Sequence, residues 1–149
     1  MERYAIENHT IENYTIETIA LDQSHDFQVK IYPAMVDAFT ELSGDINPLH
    51  TSKTFAMEKG FHDRVVYGML TASFYSTLIG VFLPGRNALL QELDTTFRKP
   101  VFIGDELTVH GRVIDINTRL SRIEVQASIT NQIGQKVSKA RIKAGIYAE

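Results

Sequence analysis

The chain has 149 residues, 44% of them hydrophobic and 22% charged, a balance that suits one folded domain with one core and not a disordered segment. A formal net charge of −3 leaves no broad basic surface for a phosphate backbone, so nucleic acid is not an expected partner. With no cysteine and five histidines, the sequence lacks the material for disulfides, thiolate metal sites or a cysteine nucleophile. Met1 to Asn8 contains Glu2, Arg3 and Glu7 and no apolar run, unlike the core of a secretory leader, so the expected location is the cytoplasm. The sequence is read as a single domain over 1–149, in which about the first 25 residues form a variable N-terminal segment.

Phe27, Val29 and Ile31 alternate with Gln28 and Lys30, the pattern of a half-buried strand. Pro33 then suits the first turn of a helix running to about Leu42 and ended by Gly44. Its apolar stripe is Met35, Val36, Phe39 and Leu42, while Asp37, Thr40 and Glu41 face elsewhere. An irregular stretch from Gly44 to His50 leads to a short helix over Ser52 to Glu58. The longest apolar run, Gly68 to Leu83, is interrupted by Thr71, Ser73, Ser76 and Thr77 and stopped by Pro84-Gly85. It falls short of the roughly 20 residues a bilayer helix needs, so it is a core helix and no membrane is expected. Ala72, Ser73, Ser76 and Gly80 keep one side of it small, allowing another element to approach closely.

From Ala88 the period changes to two. Leu89, Leu93 and Phe97, with Gln91 and Thr95, form an inner row opposite Glu92, Asp94 and Arg98. The alternation recurs around Leu107 to Val113, Ile123 to Ile129 and Ala140 to Ile146, with turn signals at Pro100, Gly104-Asp105, Asn117-Thr118 and Gly134. Four such strands in succession predict an antiparallel meander with one wet face. Its other face needs a cover, and the economical architecture is an α+β domain whose sheet curls around the Gly68–Leu83 helix.

The segment Ser43-Gly44-Asp45-Ile46-Asn47-Pro48-Leu49-His50 concentrates an acid, an amide and an imidazole in one turn. Pro48 fixes its own φ and pushes Asn47 toward extended backbone, which lets Asp45 and His50 be directed into one space. The same residue types serve equally as caps and turn formers, with Asp45 and Asn47 bonding to the local backbone, and the residues alone leave both readings open.

The run Gly44-Asp45-Ile46-Asn47-Pro48-Leu49-His50, followed by Gly68-Met69-Leu70-Thr71-Ala72-Ser73 and Pro100-Val101-Phe102-Ile103-Gly104-Asp105-Glu106-Leu107, resembles the MaoC-like, (R)-specific enoyl-CoA hydratase family. The similarity extends from about Pro33 to the C-terminus, and three motifs in order are far more specific than one short pattern. The resemblance implies a hot-dog fold and a homodimer, or a higher homo-oligomer, with sheets joined edge to edge. It also implies reversible hydration of a trans-2-enoyl thioester to the (R)-3-hydroxyacyl thioester in fatty acid metabolism. By the same resemblance Asp45 and His50 hold the reacting water as the catalytic pair, and the Gly68 N–H is the oxyanion donor. Asn47 shapes the loop, and Ser76 supports it. The residue before Gly68 is commonly histidine in that family and is Tyr67 here, a departure that bears on pocket shape.

Ser76 reads equally as a helix hydroxyl bonded back to the carbonyl of Ala72. No metal or separate cofactor is implied, since coenzyme A enters as part of the substrate. His9, His25, His62 and His110 read as solvated, and Arg86, Arg98 and Lys99 as ordinary surface. Two other classes compete. One is a hot-dog dehydratase acting on acyl carrier protein, or a thioesterase, families that commonly carry an acid on the central helix; Tyr67 to Leu83 has none. The other is a non-catalytic module that binds acyl thioesters.

Overall fold

The structure, a computed structural model, describes residues 9–148. The reading of Met1 to Asn8 as unlike a secretory leader lies outside the described residues. Strand β1 (Ser24–Lys30) leads into helix α1 (Pro33–Ser43), two short helices α2 (Pro48–Thr51) and α3 (Lys53–Glu58), and the central helix α4 (Gly68–Thr77). A π-helical turn over Leu78–Phe82 prolongs α4. Strands β2 (Ala88–Phe97), β3 (Glu106–Asn117), β4 (Arg122–Thr130) and β5 (Lys136–Ile146) follow.

All five strands join one antiparallel sheet in the order β1-β3-β4-β5-β2. The alternation places Leu107, Val109 and Val113, then Ile123, Val125, Ala127 and Ile129, then Ala140, Ile142, Ala144 and Ile146 on the buried face. That face packs on Leu70, Phe74, Tyr75, Leu78 and Ile79, so the sheet does curl around the central helix. Gly111 permits the close approach, because a Cβ there would lie 2.6 Å from Leu78 Cδ2. Tyr75 and Ser138, both buried, are joined across the same interface by a 2.7 Å hydrogen bond. Among the described residues no helix is long and apolar enough to cross a membrane.

The expected meander of four consecutive strands is corrected to three. β2 pairs with β5, while β3 finds β1 and β4, because residues 98–105 do not form a tight turn. They pass the start of α4, where Val66 N–H donates to Val101 O at 2.8 Å, before β3 begins. The inner row of β2 is corrected as well. The register breaks between Leu90 and Glu92, and the extra residue, Gln91, reverses the facing of everything before it. Ala88 and Leu90 therefore stand opposite the inward-facing Ile146 and Ala144, while Leu89, expected inside, is outside and 54% exposed.

In α1, Met35 and Val36 are buried, but Leu42, assigned to the stripe, is 83% exposed in the last turn; Gly44 follows as an αL cap at φ 73°. The described part of the N-terminal segment is tied to the far end of the central helix. Glu12 N–H donates to Val81 O at 2.8 Å, and Tyr14 N–H to Pro84 O at 3.1 Å. His25 is not simply solvated: it sits on the inner face of β1 opposite Gly111, its ring stacked on Phe82 at 3.9 Å and 14°. His110 pairs on the outer face with Asp26, and His62 lies against Phe102 at 3.9 Å.

Candidate active site

The loop after α1 is built by its own polar side chains. Ser43 Oγ accepts from Asp45 N–H at 3.2 Å, and Asp45 Oδ1 accepts from Asn47 N–H at 3.0 Å, an Asx turn. Asn47 Oδ1 then accepts from Leu49 N–H at 3.0 Å, capping α2, whose first residue is Pro48. Residues 48–51 are thus a helical turn, where the sequence suggested irregular backbone. Asn47 shapes that turn, and His50 rides on it.

His50 Nδ1 lies 2.6 Å from the carbonyl oxygen of Val65. A carbonyl only accepts, so Nδ1 carries the proton and Nε2 of the neutral ring is left as an acceptor. The ring also packs on Tyr67 at a centroid distance of 4.0 Å. Tyr67 is 2% exposed, and its hydroxyl reaches the backbone carbonyl of Asp45 as well as Thr40 Oγ1, 2.8 Å away. One buried side chain therefore touches the His50 ring and the Asp45 backbone at once, although no direct hydrogen bond links Asp45 to His50 among the described residues.

Gly68 is the first residue of α4. Its N–H belongs to the first turn, where helical backbone donors have no partner within the helix, and it makes no hydrogen bond among the described residues. The Phe97 ring lies over this glycine: a Cβ on Gly68 would be 3.2 Å from Phe97 Cε1. His50, Gly68, Thr71 and Phe97 line one open cavity of about 410 Å³, together with residues 65–66, 98–101 and 137. Asp45 and Asn47 are exposed and stand outside its lining.

Ser76 is two turns further along α4. It is exposed, and its hydroxyl has no hydrogen bond among the described residues, neither to Ala72 nor to the Asp45 loop. Met69, Ser73 and Gly80 are exposed as well, so of the small side of the central helix only Ala72 is covered in the single chain. A separate depression of about 420 Å³ on the outer sheet face is lined by His110, Arg112, Lys139 and Arg141 and contains none of the candidate residues. Among the described residues no cluster of three or more His, Cys, Asp or Glu is placed to hold a metal.

Three contributors escaped the sequence. The carbonyl of Val65 has no side-chain signature. Thr40 was assigned away from the core because α1 was read only for its apolar stripe. Phe97 belongs to the inner row of β2, and alternation carries no sign that this row ends over Gly68.

Residues 15–135 match a family model described as the MaoC like domain. An (R)-specific enoyl-CoA hydratase of Aeromonas caviae is 38% identical over 112 residues, which cover 71% of this chain and 84% of that protein. A mitochondrial 3-hydroxyacyl-[acyl-carrier-protein] dehydratase of Arabidopsis thaliana is 42% identical over 72 residues, 48% of this chain and 42% of that longer protein. The solved (R)-hydratase structure from A. caviae superposes with a TM-score of 0.84 at 30% identity, covering 87% of this chain and 98% of that one. The α+β arrangement of a curved five-stranded sheet around a central helix is thus the hot-dog fold of the hydratase structure.

Proposed function

The chain belongs to the MaoC-like domain family, and from that premise we propose that it is a hydro-lyase adding water reversibly to trans-2-enoyl-CoA to give the (R)-3-hydroxyacyl-CoA. The observation that carries the reading is that His50 and Gly68, whose N–H is unpartnered among the described residues, line one cavity, while Tyr67 binds the Asp45 loop against the His50 ring.

Addition needs a base for the water, a proton for Cα and a donor for the thioester oxygen that becomes enolate-like. In this reading a water lies between the Asp45 carboxylate and His50 Nε2. Asp45 takes a proton as the water oxygen bonds to Cβ, the electron pair of the double bond moves to Cα and the carbonyl, and a proton returned from the pair completes the product at Cα. Charge gathering on the thioester oxygen meets the Gly68 N–H at the positive end of α4. Ser76 is assigned to supporting the loop only in an assembly, since it is open in the single chain.

The reading includes a cytoplasmic homodimer, supported by two edges of the open sheet. On β2, Leu89, Leu90 and Phe97 are exposed at 54%, 41% and 47%, and on α4 Met69 is exposed at 63%. Light scattering in dilute solution should give twice the chain mass; a stable, active monomer would remove this part.

Crotonyl-CoA is the test substrate. Loss of the enoyl thioester absorbance without release of free thiol, with (R)-3-hydroxybutyryl-CoA as the product, is the expected result. Predominantly (S) product would overturn the assignment. Thiol release would make the protein a thioesterase, and binding without turnover a non-catalytic module. The similarity to the plant carrier-protein dehydratase supports a second reading, in which the thioester is carried by acyl carrier protein; a crotonyl carrier-protein substrate with the higher kcat/KM would favour it.

A further inference from the structure

Tyr67 is the N-cap residue of α4, yet its side chain makes no cap hydrogen bond. Its hydroxyl is directed instead into a chain of oxygens. The phenol has one proton, and the backbone carbonyl of Asp45 can only accept, so that proton goes to Asp45 O. Thr40 Oγ1, 2.8 Å from the phenol oxygen, must then be the donor to it. The same threonine hydroxyl lies 2.9 Å from Val36 O, so its single proton has two acceptors within reach. The other polar groups of Asp45 are held by neighbours in sequence: its N–H by Ser43, its carboxylate by Asn47. Tyr67 therefore makes the long-range contact of the Asp45 backbone, 22 residues away in the chain.

The same ring packs on His50 at 4.0 Å and on Phe39 at 4.9 Å, and it is nearly fully buried. The ring thus packs on the His50 imidazole while its hydroxyl holds the start of the loop. Resting on the hydro-lyase reading above, we infer that Tyr67, supported by the hydroxyl of Thr40, is the positioning residue that sets the distance between Asp45 and His50. It touches neither water nor thioester.

Tyr67→Phe keeps the ring, its burial and its stacking and removes only the hydroxyl. With crotonyl-CoA, its kcat should fall about tenfold, the size one lost hydrogen bond supports, with KM within twofold of the parent protein. Thr40→Val should act in the same direction to a smaller extent, while Thr40→Ser, which keeps the hydroxyl, should restore kcat. Amide hydrogen exchange provides a readout independent of turnover. In Tyr67→Phe, exchange at Asn47 and His50, whose N–H groups are bonded within the loop, should quicken about tenfold, with that at Val109 in the sheet unchanged. Unaltered exchange in the loop, or an unaltered kcat in the folded variant, overturns the inference. If the parent protein does not hydrate crotonyl-CoA at all, the hydro-lyase reading fails by itself, and the exchange comparison still decides whether Tyr67 holds the loop.

Discussion

His50 and Val65 are joined by a 2.6 Å hydrogen bond in which the imidazole is the donor, and this fixes which ring nitrogen is available for chemistry. Glutamine at position 50 can donate to Val65 or accept from a water, but its flexible amide does not hold both ends in line. Asparagine at position 45 keeps an oxygen for Asn47 N–H and loses only the charge. Each of His50→Gln and Asp45→Asn should lower kcat by roughly 10²–10⁴ while leaving the circular dichroism unchanged. Because the two groups share one water, the double variant should cost less than the sum of the single losses. A folded variant with near-parental kcat would remove that residue from the pair, and additive losses would separate their roles.

Gly68 and Phe97 offer a second test. A methyl group at position 68 would meet three atoms of the Phe97 ring at 3.2–3.3 Å, and that ring forms one wall of the cavity. Gly68→Val should lower kcat/KM at least tenfold by forcing the ring toward the thioester and crowding the N–H that receives it. Phe97→Leu in the same chain should recover part of the loss. Full activity in a correctly folded Gly68→Val protein would reject the oxyanion role, while a change at Glu124 on the outer sheet face should alter kcat/KM by less than twofold.

Gly111 is a matter of stability. Alanine there gains strand propensity, but its Cβ would stand 2.6 Å from Cδ2 of Leu78, which is fully buried and would have to shift within the packed core. Overpacking wins, and Gly111→Ala should lose about 1–3 kcal/mol, a fall in Tm of roughly 2–4 °C for each kcal/mol in a chain of this size. Thermal unfolding checks it. Combining it with Leu78→Val should relieve part of the strain, and a Tm equal to or above that of the parent would show that the helix has space to lift.

The ring of His25 lies between the sheet and Phe82, and burial holds its pKa below the ordinary histidine value, outweighing the nearby Asp26 and Glu12 and assisted by His9. The neutral ring is therefore the form favoured by folding. Its contribution is present above the unfolded-state pKa near 6.5 and is lost as pH falls through that value toward the lower folded one. The Tm should drop between pH 7.5 and pH 5.5, and His25→Phe, which keeps an aromatic ring against Phe82, should flatten that dependence. An unchanged slope in His25→Phe would assign the pH response to other groups.

Which parts of this molecule could be read in the sequence follows from how far each signal reaches. Alternation located all five strands, because burial on one face writes itself into neighbouring residues, and the central helix stood out as the longest apolar run. It did not disclose that β2 pairs with β5, which depends on where residues 98–105 travel. One bulge residue, Gln91, was enough to turn Leu89 outward. In the candidate site, the Asp45 to His50 cluster was visible because its polar residues lie close in the chain and serve one another there. The link through Tyr67 and Thr40 and the Val65 carbonyl was not, since it joins residues 15, 22 and 27 positions apart, partly through backbone atoms that every residue possesses.

The placement of β2 also bears on the order in which this molecule can be completed. Its ladder partner is β5, the last strand, so when β2 leaves the ribosome the surface it needs is still unmade, and it waits until roughly forty residues more have followed. β5 then seats two neighbours at once, β4 on one side and β2 on the other. Phe97, which walls the cavity over Gly68, is carried by β2 and pairs with Ser138. The pocket at the start of the central helix is therefore finished by the C-terminal strand, which supplies Val137 to its lining and Ser138 as the partner of both Phe97 and the Tyr75 hydroxyl.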